Sequence, residues 1–126
     1  MLFYKFDQLM NAIENVADHT HIFSTSAYPI EFIAIDRMSK NVDGLMREFV
    51  TLRDIKIAVM ARGNGIFTAI LNSLEASGTH VMVDDIVNDE LYNFLIKNGY
   101  SPYAYSGNDG YTIRCAYKLK ENIKRD

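Results

Sequence analysis

Residues 62–68 read RGNGIFT and lie between a strand pattern and a helix pattern. Residues 54–59 alternate in polarity, which predicts a strand, and the apolar residues from Ile66 to Leu74 recur at helical spacing. The two glycines allow a tight turn and a close approach of a ligand. The first amides of a helix lack internal partners and carry partial positive charge. The loop therefore suits a phosphate or pyrophosphate, to which Arg62 would add a bidentate contact.

Two better-known phosphate loops do not fit this stretch. No Gly-Lys-Ser/Thr follows the glycines, so the loop is not a Walker A motif. The third glycine of a dinucleotide fingerprint is missing, and the strands before the loop look antiparallel. A Gly-x-Gly loop also occurs as a simple strand-to-helix turn. On these residues alone, a turn and a phosphate cradle both remain open.

Outward from the loop, the pattern predicts ten elements in the order β-α-β-β-β-α-β-α-β-β. The predicted strands are 2–5, 31–37, 45–51, 54–59, 79–84, 103–105 and 111–119. The predicted helices are 8–18, a second that starts at Ile66 and stops at Gly78, and a third between Asn88 and Gly99.

Two features of this order shape the predicted sheet. The strands within 31–59 form an antiparallel meander with a turn at 41–44, and residues 20–30 are predicted to be irregular. The central strand-helix-strand unit makes one pair of strands parallel. Sheets of this kind bind ligands at the carboxyl ends of strands, near helix N-termini.

Length and composition predict one domain over residues 1–126. Apolar residues make up 48% of the chain, enough for one core without a disulfide or metal. Cys115 is the only cysteine, which excludes an intrachain disulfide and suits a reducing cytoplasm. The start of the chain lacks a secretory pattern, and no apolar stretch is long enough to span a bilayer. We therefore expect a soluble cytoplasmic protein without a membrane partner.

Charge and ligand patterns exclude two classes of function. The net charge of −3 argues against a nucleic-acid binder, which would carry a basic surplus. His19 and His21 form a His-x-His, but no further ligand pattern accompanies them, so no metal site is predicted. The tyrosines cluster late in the chain, where an exposed aromatic patch would serve a homodimer or an acceptor surface.

Residues 62–66 followed by a helix resemble the GNAT N-acetyltransferase superfamily pattern Gln/Arg-x-x-Gly-x-Gly/Ala. Downstream, Asn88, Leu91, Phe94 and the run 97–100 resemble the second signature of that superfamily, an Asn-led helix ending in Gly-Phe. The spacing between the two halves matches as well. The specific resemblance covers residues 55–100, and the rest of the chain agrees in element order. Compact, divergent GNAT-like proteins of this length are familiar in bacteriophages.

The resemblance implies an α/β (α+β) fold and an acyl-CoA co-substrate. The expected sheet is mixed and mostly antiparallel, with about six or seven strands and about three helices on its faces. The resemblance further implies that acetyl-CoA is the cofactor. The residues expected to contact it are Ile57 and Val59 at the pantetheine arm, Arg62, Gly63, Asn64, Gly65, Ile66, Phe67 and Thr68 at the pyrophosphate, and Asn88 where the fourth and fifth strands splay apart.

Two positions depart from the superfamily pattern. Phe67 stands where the loop motif has Gly or Ala, so its side chain points either into the core or toward the pyrophosphate. Leu95 stands where many members carry a Tyr that protonates the leaving thiolate. Tyr92 is offset from Leu95 by three positions, and it would substitute only with a rotated helix or a shifted ligand.

The chemistry implied by the resemblance is direct attack of an amine on a thioester, which needs a route for the amine proton. Glu48 and the pair Asp84 and Asp85 are candidate proton acceptors, with solvated or capping carboxylates as the alternative. The implied function is an acyl-CoA-dependent N-acetyltransferase that acts on a primary amine of a small molecule or protein. The alternatives are a catalytically inactive GNAT-like binding or structural module and a domain that binds another phosphate ligand.

Overall fold

The computed structural model describes residues 11, 23–27, 30–57 and 65–123, which form a six-stranded sheet and two α-helices. The strands are β1 (Phe23–Ala27), β2 (Ile30–Val42), β3 (Leu45–Ile57), β4 (His80–Val83), β5 (Ser101–Ser106) and β6 (Thr112–Lys118). The helices are α1 (Ile66–Ala76) and α2 (Asp89–Lys97), and a 3₁₀ turn (Lys120–Asn122) follows β6. The predicted strand 2–5 lies outside the described residues, as does the predicted helix 8–18 except for residue 11, which is helical.

The sheet is mixed and mostly antiparallel, as the sequence predicts. Its strands lie in the order β1-β2-β3-β4-β6-β5. β3 and β4 pair in parallel across the α1 crossover, and every other described neighbour pairs antiparallel. The strand-helix-strand unit around residues 62–68 therefore has the predicted direction.

The predicted meander is wrong in its boundaries. Residues 23–27, predicted to be irregular, form β1, and the segments 45–51 and 54–59 form one strand, β3, up to Ile57. Leu52 pairs with Ile35 and Asp54 pairs with Ala34, so Arg53 is an extra, bulged residue in β3. The bulge breaks the two-residue alternation, and this break looks like a strand end in the sequence.

The turn between β2 and β3 follows the sequence closely. Asp43 and Gly44 have φ angles of 54° and 84°, and the residues that flank them, Val42 and Leu45, are paired. Two left-handed residues between paired strands match a tight hairpin turn, for which Asp-Gly is a favoured pair.

The core lies mainly between the sheet and the two helices. Residues Ile33, Leu52, Val81, Val83, Ile70, Leu74 and Leu95 are fully or almost fully buried there. A smaller cluster on the opposite face contains Val42, Phe49, Met82 and Cys115, with tyrosines packed around it. On this face, the Lys40 ammonium of β2 lies 3.8 Å from the ring centroid of Tyr105 on β5. Since three strands separate β2 from β5, this contact shows that the sheet curves around the face. None of the described helices has the length and apolar character needed to cross a membrane.

Candidate functional site

The parallel strands β3 and β4 separate at one point. They are paired from Phe49 and His80 to Leu52 and Val83. Their last hydrogen bond runs from the Asp84 amide to the Leu52 carbonyl at 3.0 Å. Beyond it, β3 continues to Ile57, while the chain after β4 joins β6. The part of β3 from residue 53 to residue 57 therefore has no described strand on its β4 side.

Local backbone features cause this separation. Arg53 is the bulged residue of β3, and a bulge bends the strand that carries it. Asp85 has a φ of 51°, a left-handed conformation that Asp adopts more readily than most residues. This turn brings the Ile86 amide to the Arg114 carbonyl of β6 at 2.7 Å. The end of β3 and the chain after β4 are thus the two arms of a gap in the sheet, and each arm has its own backbone irregularity.

The N-terminus of α1 lies in the chain after the β3 arm. Gly65 is its N-cap, with a φ of 75°, and provides no side-chain hydrogen bond to the first turn. The first turn contains no acidic residue. No described side chain therefore offsets the partial positive charge that the amides of Ile66, Phe67 and Thr68 carry at the helix N-terminus. Arg62, Gly63 and Asn64, together with Val59, lie outside the described residues, as does the side chain of Ile57.

The N-terminus of α2 is different. The Asn88 side chain accepts a hydrogen bond from the Leu91 amide at 3.0 Å, and Asp89 and Glu90 occupy the first turn. This end is already capped and carries negative charge, so it disfavours an anion. Of the two α-helix starts that the structure describes, only that of α1 suits a pyrophosphate.

The Phe67 side chain packs inward. Its ring meets Phe94 of α2 edge to face, with centroids 6.2 Å apart, and both rings pack against the main core. Of the two orientations open to Phe67, the structure therefore has the one that points into the core. The backbone amide of Phe67 stays in the first turn of α1.

The two candidate residues on α2, Tyr92 and Leu95, both pack against other side chains. Leu95 is fully buried in the core. The Arg114 guanidinium lies 4.3 Å from the centre of the Tyr92 ring and also pairs with Asp89 at 2.9 Å. Tyr92 therefore packs against the face of the sheet that the helices cover, in contact with Arg114 of β6.

Asp84 lies at the point of separation and on the other face of the sheet. Val83 belongs to the core under the helices, and successive strand residues alternate between faces. The Asp84 carboxylate accordingly reaches Tyr105 of β5 and Cys115 of β6. Its Oδ1 accepts from the Asp85 amide at 2.9 Å, the Tyr105 hydroxyl at 3.0 Å and the Cys115 thiol at 3.1 Å.

The two side-chain donors to Asp84 remain protonated at neutral pH. Burial, followed by the hydrogen bond to Asp84, raises the pKa of Cys115 to about 12. The same two causes raise the pKa of Tyr105 above its ordinary value. Neither group is therefore a ready nucleophile. Among the described residues, the second carboxylate oxygen, Oδ2, accepts only a longer contact of 3.2 Å from Tyr105, which leaves it available to a further donor.

Glu48 is not brought together with Asp84. It lies on β3 four residues before Leu52, roughly 13 Å along the strand from the separation. Its carboxylate is exposed and pairs with Arg37 at 2.7 Å. The structure thus places Asp84, but not Glu48, at the gap between the strands.

Two further features lie away from the gap. A cavity of about 580 Å³ lies between α1 and α2, where Lys118 pairs with Glu75 at 3.2 Å and the Tyr100 hydroxyl also donates to Glu75. Among the residues that the structure describes, no group of three or more His, Cys, Asp or Glu side chains is arranged to hold a metal ion.

The partners of Asp84 have no local signal in the sequence. Tyr105 and Cys115 lie 21 and 31 residues from Asp84, on strands whose register the sequence does not define. The one usable signal is the cluster of tyrosines in the last third of the chain.

No protein-family model matches the sequence, and no curated protein matches it. The structure is similar to that of a mutant AtaT toxin bound to the C-terminus of the antitoxin AtaR, with a TM-score of 0.55 and 13% identity. That alignment covers 77% of this chain and 62% of the toxin chain. A second AtaT structure, which also contains acetyl-CoA, has a TM-score of 0.53 and 14% identity over 73% of this chain and 59% of the toxin.

A third similar structure is Naa50 of Arabidopsis thaliana in complex with the bisubstrate analogue CoA-Ac-MVNAL. Its TM-score is 0.47, with 15% identity over 68% of this chain and 64% of that one. This chain thus spans less than two thirds of the length of each of these three structures. At such identities the likeness concerns the fold, and the fold of this chain is GNAT-like.

Proposed function

We propose that this GNAT-like chain is an acyl-CoA-dependent N-acyltransferase that transfers acetyl from acetyl-CoA to a primary amine. The observation that carries the proposal is the separation of β3 and β4 at Leu52 and Asp84. An uncapped helix N-terminus follows one arm of the gap, and a partly buried carboxylate lies on the other arm.

The cofactor would approach from the helix-covered side. Its pyrophosphate would accept hydrogen bonds from the first amides of α1, from Gly65 to Thr68, with Arg62, Gly63 and Asn64 completing the cradle. The pantetheine arm would pair with the backbone of β3 beyond Leu52, where Ile57 and then Val59 follow. An AtaT structure of similar fold contains acetyl-CoA, which supports a co-substrate of this type.

The amine would approach from the opposite face, where Asp84 lies. Its nitrogen attacks the thioester carbonyl carbon, the C–N bond forms, and the C–S bond breaks. A protonated amine must lose one proton before its nitrogen can attack and a second as the amide forms, and one proton must reach the departing sulfur. Asp84 Oδ2, the less satisfied oxygen of the carboxylate, is the proposed acceptor of the nitrogen proton.

The charge around the gap suits a cationic acceptor. Asp54, Asp85 and Glu90 are exposed, and none of them has an ion pair among the described residues. Exposed carboxylates raise the local concentration of ammonium groups. The acceptor would therefore be an amine that is protonated in solution, on a small molecule or a protein.

A second candidate function is a catalytically inactive GNAT-like binding module. The observation that favours it lies on α2, where Leu95 is buried and Tyr92 stacks with Arg114. Neither residue offers a phenol to a thiolate in the gap. A module of this kind would still bind coenzyme A or a protein partner through the same fold.

Calorimetric titration with acetyl-CoA, followed by an assay against a panel of primary amines, separates the candidates. Binding together with release of free thiol and N-acetylated product supports the enzyme. Binding without turnover on any amine supports the inactive module. Absence of binding at millimolar acetyl-CoA would exclude the proposed function altogether.

A further inference from the structure

Three side chains from different strands converge around the Asp84 carboxylate. Tyr105 of β5 donates its hydroxyl to both carboxylate oxygens, at 3.0 and 3.2 Å. Cys115 of β6 donates its thiol to Oδ1 at 3.1 Å. Lys40 of β2 places its ammonium 3.8 Å from the centre of the Tyr105 ring. A carboxylate that only capped its own loop would need none of these partners.

We propose that Tyr105 is the positioning residue for Asp84, and that Lys40 holds the Tyr105 ring in place from the β2–β3 hairpin. The inference rests on the proposed function and extends it to two residues outside the gap itself. Tyr105 would fix the carboxylate so that Oδ2 faces the amine.

The two oxygens of the Asp84 carboxylate differ in the hydrogen bonds that they accept. Oδ1 already accepts from the Asp85 amide, the Tyr105 hydroxyl and the Cys115 thiol, so it has no capacity for another donor. Within the part of the chain that the structure describes, Oδ2 accepts one hydrogen bond, a 3.2 Å contact from the hydroxyl that also donates to Oδ1. Loss of the hydroxyl would leave the carboxylate free to rotate about its last torsion, with Cys115 and the Asp85 amide as its remaining partners.

The surrounding charges act on the same carboxylate. Asp85 is its chain neighbour, Lys40 supplies the positive charge, and Cys115 and Tyr105 stay protonated because burial raises the pKa of each. The cation over the Tyr105 ring also makes the phenol a better hydrogen-bond donor, so Lys40 would act on Asp84 through Tyr105. The end of the β2–β3 hairpin would thereby be coupled to the proposed site.

The test compares Tyr105→Phe with Tyr103→Phe, a matched control. Tyr103 lies on the same face of β5, and its ring packs against Tyr105 and Tyr117, but it makes no described hydrogen bond to Asp84. We expect Y105F to lower kcat about tenfold, with KM for acetyl-CoA unchanged. Y103F should keep the kcat of the wild type, because the Tyr103 hydroxyl makes no described contact with Asp84.

A second readout does not need activity. Carbon-detected NMR at neutral pH should show a changed chemical shift of the Asp84 carboxyl carbon in Y105F, because the carboxylate loses a hydrogen-bond donor, with Y103F unchanged. Lys40→Met should give a smaller change in the same direction, and Y105F combined with K40M should add nothing to Y105F alone. Equal chemical shifts in all variants would overturn the inference.

The two readouts separate the inference from the function on which it rests. If the wild type transfers no acyl group to any amine, the proposed function fails, and the NMR chemical shifts still decide whether Tyr105 positions Asp84. If transfer occurs but Y105F matches Y103F in kcat, the function stands and the inference is wrong.

Discussion

The amide of Asp84 donates to the carbonyl of Leu52 at 3.0 Å, and this is the last hydrogen bond before β3 and β4 separate. One residue therefore performs two tasks with different groups. Its backbone ends the parallel pairing, and its carboxylate lies on the face away from the helices, held by Tyr105 and Cys115. This fixed position makes Asp84 the carboxylate on which the proposed chemistry depends.

Asp84→Asn should lower the rate of acyl transfer by about 100- to 10,000-fold, the range expected when a general base is removed. The amide oxygen can still accept from Tyr105 and Cys115, so the fold and acetyl-CoA affinity should be retained. Steady-state kinetics and calorimetry measure the two effects. Asp85→Asn is the control, because its side chain is exposed and adjoins the same turn. Equal losses in both variants would show that general charge, rather than Asp84, matters.

Gly65→Glu should abolish acetyl-CoA binding, because it places a carboxylate at the N-terminus of α1 where the pyrophosphate charge is expected. Gly65 has a φ of 75°, so any side chain there adds strain of about 1 kcal/mol, although nothing lies near the added Cβ. Gly65→Gln carries the same strain without the charge and is therefore the matched control. We expect Gly65→Glu to bind at least about 100-fold more weakly than Gly65→Gln, as measured by calorimetry. Equal affinities would mean that the loop is only a turn.

Much of the fold could be predicted because its signals are local. Asn88 shows its capping role through its own residue type and the acidic residues after it. The strand-helix-strand unit around residues 62–68 fixes a parallel pair wherever its exact ends fall. The Asp43-Gly44 turn follows from the conformational freedom of those two residues.

The parts that could not be predicted depend on register and packing. The bulge at Arg53 keeps Leu52 and Ile55 against the same core, and this becomes visible only once β2 is paired with β3. Phe67 points inward because Phe94 of another helix lies beside it. The network around Asp84 joins strands far apart in the chain, so its tyrosine could not be singled out from the other late tyrosines.

Phe67→Ala should lower the free energy of unfolding by about 2 to 3 kcal/mol, because a half-buried ring and its edge-to-face contact with Phe94 are lost. Phe67→Leu retains apolar volume and should cost about 1 kcal/mol. Denaturant unfolding measures both values. Acetyl-CoA affinity should be the same in the two variants and the wild type, because the ring points away from the proposed cradle. Tighter binding by Phe67→Ala would contradict this orientation.

The stability of the protein should fall in alkali through the buried thiol. The pKa of Cys115 rises from an ordinary value of 9.0 to about 12 in the folded protein, through burial and then the hydrogen bond to Asp84. Below pH 9 both the folded and the unfolded thiol are protonated, so this group gives no pH dependence. Between pH 9 and about 12 the unfolded thiol loses its proton and the folded thiol keeps it, so the free energy of unfolding decreases as pH rises.

Cys115→Ser removes this titration and retains a donor to Asp84. Over that pH range, the slope of its free energy of unfolding should be shallower than that of the wild type by about 1.4 kcal/mol per pH unit, which corresponds to one proton. Urea denaturation at closely spaced pH values measures the difference. Tyr100 also has a raised pKa, but it titrates in the same way in both proteins and cancels in the comparison. The raised pKa of Tyr105 cancels only in part, because Cys115 contributes to it. Parallel slopes would show that the thiol is not held protonated by its surroundings, and the network around Asp84 would then lack its second donor.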